Sequence, residues 1–210
     1  METRNLAIVV IAAVAIICIA GAIVLMQGGG DKDPVIPPEP DPEFPDLNDK
    51  ILVVYFSATE TTAGFAEKIA EYLGADVYRI VPEIPYTAED LQRDVPGSRV
   101  DLEDKDTSCR PAIAGEDIDL SGYSTIILGF PIWYHKEPKI VDTFLDNYDL
   151  SGKNLIPFCT SWSAGIAGAT AKISVAEPKA KIISGTDFQS GDSDEIVFAW
   201  LESLGLEKKQ

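Results

Sequence analysis

Five apolar runs of six or seven residues, ILVVYF, ADVYRIV, STIILGF, NLIPFCT and AKIISGT, begin at residues 51, 75, 124, 154 and 180, with helical patterns between them. Runs this short and this continuous read as strands buried on both faces. Strands of that kind alternating with helices build a parallel sheet with a helical layer on each side. The clearest helix follows the first run, where Phe65, Ala66, Ile69, Ala70 and Leu73 fall on one stripe. The last is "SDEIVFAWLESLGL", with Gly205 near its end. Residues 82–123 interrupt the rhythm. They are polar and acidic, with weak helical patterning in "YTAEDLQRDV" and "SRVDLEDKD". A segment so long is not an idle loop and is expected to supply a crossover helix and an ordered cover.

A different solvent is indicated ahead of this domain. Residues 6–26, "LAIVVIAAVAIICIAGAIVLM", are 21 apolar residues without a charge. At about 1.5 Å per residue they match a bilayer's hydrocarbon thickness of about 30 Å. A cleaved signal peptide is the competing reading, but its apolar core is shorter, about 7–15 residues, and its small-residue cleavage site follows that core. Here Ala20-Gly21-Ala22 lies inside the run. Ile17 likewise argues against a lipidated Cys18. The expected organisation is therefore a tail at 1–5, a single transmembrane helix at 6–26, a linker at 27–50 and a globular domain at 51–210. Arg4 and Lys32 flank the span almost evenly. The short tail is placed inside and the domain outside the cytoplasm. The linker holds six prolines between Pro34 and Pro45 among acids, a composition suited to an extended spacer.

Charge excludes one class of partner. The chain has 17 basic and 34 acidic residues, a net charge of −17. Residues 27–50 carry seven of those acids against two lysines, and the first five residues balance, which leaves −12 on the domain. No nucleic acid is expected to bind such a surface. Cys18, Cys109 and Cys159 show neither metal-ligand spacing nor a disulfide framework. Cys159, inside an apolar run, is read as a buried core thiol.

Ligands of open parallel sheets bind beyond the carboxyl ends of the strands, and three segments stand there. The first is "SATETT": Ser57, Thr59, Thr61 and Thr62 place four hydroxyls in six residues, with Glu60 among them, ahead of a helix. Helix-start amides and hydroxyls together suit a phosphate. A single Ser/Thr cap is the simpler alternative. The second is "GFPIWYHKEP", in which Trp133 and Tyr134 are two large aromatics just past a strand, a poor place for them unless they cover something flat. His135, the single histidine, is read as a solvated loop residue. The third is "CTSWSAGIAGA", with donors at Thr160, Ser161 and Ser163, glycines at 165 and 168, and the aromatic face of Trp162. A flat heteroaromatic bearing a phosphate would fill all three.

At these residues the chain resembles a known family. "YFSATETT" is similar to the phosphate loop of flavodoxins and flavodoxin-like proteins, whose pattern runs Ser/Thr-x-Thr-x-x-Thr directly after the first strand. "LGFPIWYHKEP" and "FCTSWSAGIAG" resemble their second and third flavin loops. "CRPAIAG" before "DLSGYSTIILGFPIW" is similar to the variety enlarged between strands two and three. The likeness covers about 51–204. It implies a flavodoxin-like α/β sandwich with a five-stranded parallel sheet of order 2-1-3-4-5, bound FMN, and one- or two-electron transfer. Carried over by position, Ser57, Thr59, Thr61 and Thr62 would hold the phosphate, with Glu60 in the same loop. Pro131, Ile132, Trp133 and Tyr134 would face the isoalloxazine, and Ser161, Trp162, Ser163 and Gly165 would edge it. Glu60 replaces a usual glycine, and Trp162-Ser163 a commoner glycine pair.

The resulting expectation is a membrane-tethered FMN protein acting in electron transfer, meeting a redox partner protein or a quinone near the membrane. An acidic surround disfavours added negative charge on the flavin, which suits a low-potential carrier. Two alternatives stand beside it. One is an FMN-dependent reductase passing hydride from NAD(P)H to a quinone. The other is a flavin-free binding module on the same fold.

Overall fold

The computed structural model of the protein describes residues 45–209. Strand β1 (Ile51–Tyr55) leads into α1 (Thr61–Leu73), then β2 (Asp76–Arg79) and β3 (Val81–Pro82). Helix α2 (Arg99–Lys105) and β4 (Ile113–Ala114) precede β5 (Thr125–Pro131), α3 (Lys139–Asn147) and β6 (Asn154–Thr160). Helix α4 (Ala167–Ala176), β7 (Lys181–Ile182), β8 (Thr186–Phe188) and α5 (Asp194–Ser203) complete the described chain. The main sheet is parallel, in the order β2-β1-β5-β6-β7, with β8 also paired to β6.

The two faces of the sheet follow from alternation along the strands. Leu52 and Val54 of β1, with Ile126 and Leu128 of β5, join a core closed by Ile140, Val141 and Phe144 of α3 and Ile173 of α4. Their neighbours Ile51, Val53, Ile127 and Ile156 face the other way, onto Phe65, Ala66 and Ile69 of α1 and Val197 and Leu201 of α5. Burial of each of the larger apolar side chains here contributes about 1.5–3 kcal/mol. The apolar stripe expected on α1 is this buried face.

Two departures have local causes. The expected fifth strand is split into β7 and β8. Asn154 N–H donates to Ser124 on one side of β6, while Leu155 C=O accepts from Ile183 on the other. Two residues beyond Leu155, Pro157 faces the fifth strand without an N–H to give. The ladder breaks there, and Gly185 packs so close to the Pro157 carbonyl that an added Cβ would sit 2.2 Å from it. The second departure is the 82–123 segment. Only Arg99–Lys105 is helical, capped by Ser98, whose Oγ accepts from Asp101 N–H at 3.3 Å. Residues of "YTAEDLQRDV" form turns, and β3 pairs antiparallel with β4 in a small second sheet. It covers the sheet as expected, without a full crossover helix.

The 6–26 span and the linker up to residue 44 lie outside the described residues. Among the described residues, no helix is long and apolar enough to cross a membrane. Residues 45–49 pack on the domain: Pro45 C=O accepts from Asn154 Nδ2 at 2.9 Å, and Asn48 Nδ2 donates to Gly205 C=O at 2.8 Å. Both contacts sit at the end of the sheet where β1 and β6 begin. Cys109 and Cys159 are free thiols, Cys159 fully buried as expected.

Candidate functional site

The strand order reverses between β1 and β5, so the loops leaving β1, β5 and β6 meet at one end of the sheet. They enclose a cleft of about 580 Å³, completed by Leu91, Arg93 and Asp94 of the 82–123 segment and by Ser190.

The first loop turns sharply into α1. Glu60 precedes the helix with φ 62°, and its side chain makes no capping hydrogen bond. The single-cap reading of the hydroxyls therefore does not describe this loop. Thr59 and Thr61 line the cleft with their hydroxyls 3.5 Å apart. Thr62 is buried and shares a 2.8 Å hydrogen bond with Thr160, tying the helix start to the end of β6. Ser57 is only 6% exposed, and its Oγ has no hydrogen-bond partner among the described residues. The first-turn amides of a helix have no intrahelical acceptors, so this end of the cleft is rich in donors.

The loop itself holds no arginine or lysine, but one reaches it from β2. Arg79, last residue of β2, is in register with Tyr55, last residue of β1. Its Nη1 donates to Glu60 Oε2 at 3.1 Å, its Nη2 to Glu60 Oε1, and Nη2 also reaches Ser57 C=O at 3.4 Å. The Glu60 carboxylate is drawn toward β2. Glu60 borders an adjoining hollow of about 430 Å³, which shares Thr59, Thr61 and Ser190 with the cleft and adds Lys68 and Asp192.

The second loop is a two-residue hairpin. Trp133 and Lys136 exchange N–H···O=C bonds of 2.9 and 3.0 Å, with Tyr134 (φ 49°) and His135 (φ 66°) between them. Both central residues hold a conformation that favours glycine or asparagine, so the turn must be fastened by its surroundings. Tyr134 Oη donates to Arg93 C=O at 2.6 Å, and Arg93 Nη1 donates to Ile132 C=O at 3.2 Å. Lys136 pairs with Asp104 at 2.7 Å. Gly168 lets the His135 carbonyl approach, since an added Cβ would lie 2.7 Å from it. Trp133 meets Phe56 edge-on at 5.6 Å and Tyr86 at 5.3 Å. It is a wall of the cleft held by the core.

Just past the turn, Glu137 is buried beside Lys172, which contacts its Oε1. Burial pushes the Glu137 carboxyl up to about 7, while Lys172 opposes the shift. Burial would also raise Asp142, but bonds from Lys172 at 2.7 and 2.8 Å outweigh it and hold that carboxyl below its usual range.

In the third loop Ser161 Oγ donates to Asp187 at 2.8 Å and accepts from Gly165 N–H at 3.3 Å. Trp162 is 89% exposed at the rim, with Ser163 beside it.

Of the expected residues, Thr59, Thr61, Pro131, Ile132, Trp133, Tyr134, Ser161, Trp162 and Ser163 converge on the cleft. Ser57, Glu60, Thr62 and Gly165 stand behind or beside it, shaping loops rather than lining the cavity. Arg79, Arg93, Asp94 and Ser190 were not foreseen. His135, read as solvated, is exposed and also lines the cleft. Burial raises both described cysteines, Cys159 to about 12, so neither is an activated nucleophile.

Residues 50–204 match the flavodoxin family model. The chain is 39% identical to a protein from Bacteroides uniformis provisionally termed a flavoprotein, with a TM-score of 0.71, over 73% of this chain and 98% of that one. A similarly described protein from Bacteroides eggerthii is 35% identical, with a TM-score of 0.70, over 75% and 99%. A flavoprotein from Lactobacillus acidophilus, solved in complex with FMN, shares the fold at 22% identity and a TM-score of 0.54, over 72% and 98%. No curated protein matches the chain. With its strand order, its three loops and a match over most of its length, the chain belongs to the flavodoxin family.

Proposed function

We propose that this protein is a flavoprotein of electron transfer whose FMN lies in the cleft beyond β1, β5 and β6. Family membership carries the cofactor. The observation that supports its placement is chemical polarity within one cavity. Hydroxyls and helix-start amides gather at the β1 end, and an indole and a phenol stand at the β5 end. A volume of about 580 Å³ lies within the range of about 300–1,000 Å³ for small-molecule sites. FMN supplies the redox chemistry, accepting and releasing one or two electrons. The protein's part is to bind, orient and shield. Thr59 and Thr61 offer donors to the phosphate, Pro131 to Tyr134 flank the ring system, and Ser161 fixes the third loop against β8.

A reductase passing hydride from NAD(P)H to a quinone is a second reading. It is favoured by the rim, where Trp162 stands exposed and Trp133 is held back in the wall. Tethering through residues 6–26, with the domain outside the cytoplasm and a redox protein or quinone as partner, is proposed on sequence composition alone.

The absorbance spectrum of the purified full chain tests the cofactor directly. Flavin bands near one FMN per chain are expected. Colourless protein that does not quench added FMN fluorescence overturns the assignment. Rapid oxidation of added NADH or NADPH would select the reductase reading.

A further inference from the structure

We infer that Arg79 is the positioning residue that makes the β1 end of the cleft accept a phosphorylated flavin, by holding the Glu60 carboxylate away from it; this rests on the FMN reading above.

Glu60 is the only charged residue between the end of β1 and the first turn of α1. A carboxylate at that position opposes a bound phosphate and would satisfy the helix's N-terminal charge in its place. Its αL backbone adds a second problem, because an L-residue does not favour that conformation. One side chain answers both. Arg79 bonds both Glu60 carboxylate oxygens and reaches the Ser57 carbonyl, bracing the loop at its two ends. Neighbouring registration of β1 and β2 delivers it there, and a planar fork suits the two-point grip. The pair is neutral as a unit. Thr59 and Thr61 line both the cleft and the adjoining hollow that Glu60 borders, so the grip of Arg79 is what keeps that carboxylate from opposing an anion at their hydroxyls.

Selectivity rather than affinity is the readout, because a merely structural role would move both ligands together. FMN and riboflavin are titrated into the full chain at low and high salt. Wild type is expected to prefer FMN. Arg79→Ala should lose about three- to fivefold in FMN affinity, the scale of one largely exposed ion pair, while riboflavin changes less than about twofold. Added salt should narrow that loss, and Arg79→Lys should recover part of it. In the Glu60→Gly background Arg79→Ala should have little effect, since no carboxylate remains to restrain. Thermal melts of each variant report folding separately.

Equal loss for FMN and riboflavin in Arg79→Ala overturns the inference. So does a full FMN-specific loss that persists in the Glu60→Gly background, because Arg79 would then act without Glu60. Wild type that binds FMN no better than riboflavin strikes the phosphate reading itself, a result distinct from a selective wild type with an equally selective Arg79→Ala.

Discussion

Glu60 holds a backbone conformation that costs an L-residue about 1–2 kcal/mol, while two bonds from Arg79 fix its carboxylate. The pair is largely exposed, and such pairs contribute at most about 1 kcal/mol. Glu60→Gly should therefore leave the melting temperature of the ligand-free protein nearly unchanged while tightening FMN a few-fold. A marked loss of stability would show that the carboxylate anchors the fold. The two loop tryptophans should separate just as clearly. Trp133→Ala removes ring contacts with Phe56 and Tyr86 and should cost about 2 kcal/mol or more in denaturant unfolding. Trp162, 89% exposed, should be replaceable by Ala without a stability change. If it covers the flavin, that replacement weakens FMN by about 1–3 kcal/mol. Equal stability losses in the two variants would contradict the assignment of wall and rim. At this scale the sequence was legible for the hydroxyls and aromatics, which cluster locally. Arg79 lies 19 residues from Glu60, and only the 2-1 strand order brings them together.

Among the elements, the junction of the Trp133–Lys136 turn with α3 carries a pH dependence. Glu137 is buried there and its carboxyl is pushed up to about 7, above its ordinary 4.5. The folded protein thus holds this proton over a range where the unfolded chain has released it. That contribution is fully present below pH about 4.5 and is lost as pH rises through about 7, with a ceiling of about 3 kcal/mol. Asp142 works in the opposite sense: its stabilisation is present above the ordinary carboxyl range and fades on acidification. Glu137→Gln keeps the neutral shape, so from pH 5 to pH 8.5 the wild type should lose stability relative to this variant. Parallel profiles would show that Glu137 does not titrate in that range. Elements with a regular period, such as α1 and β5, could be read from sequence because burial sets their pattern. The split of β7 from β8 had its signal in Pro157, but that signal acts across strands, and only the pairing shows which side of β6 lacks the donor.

For the whole molecule, the parallel sheet and its two-faced core were legible because apolar strands alternate with helices, whereas the strand order came from the resemblance to flavodoxins and not from the strands themselves. The 82–123 segment was not legible, since its polar sequence folds against the β5 loop through Arg93, Tyr134, Lys136 and Asp104 rather than by its own periodicity. Residues 6–26 should hold the full chain in the membrane fraction through alkaline and high-salt washes. Recovery of a mature chain beginning after Ala22 would make them a signal peptide instead. If three loops far apart in sequence form one FMN site, hydrogen exchange with and without FMN reports it at all three. Bound FMN should slow exchange together in residues 57–63, 131–136 and 160–165, and riboflavin should protect the second and third loops but spare the first. Protection absent from all three loops, or confined to a surface elsewhere on the domain, would contradict a shared FMN site at this end of the sheet.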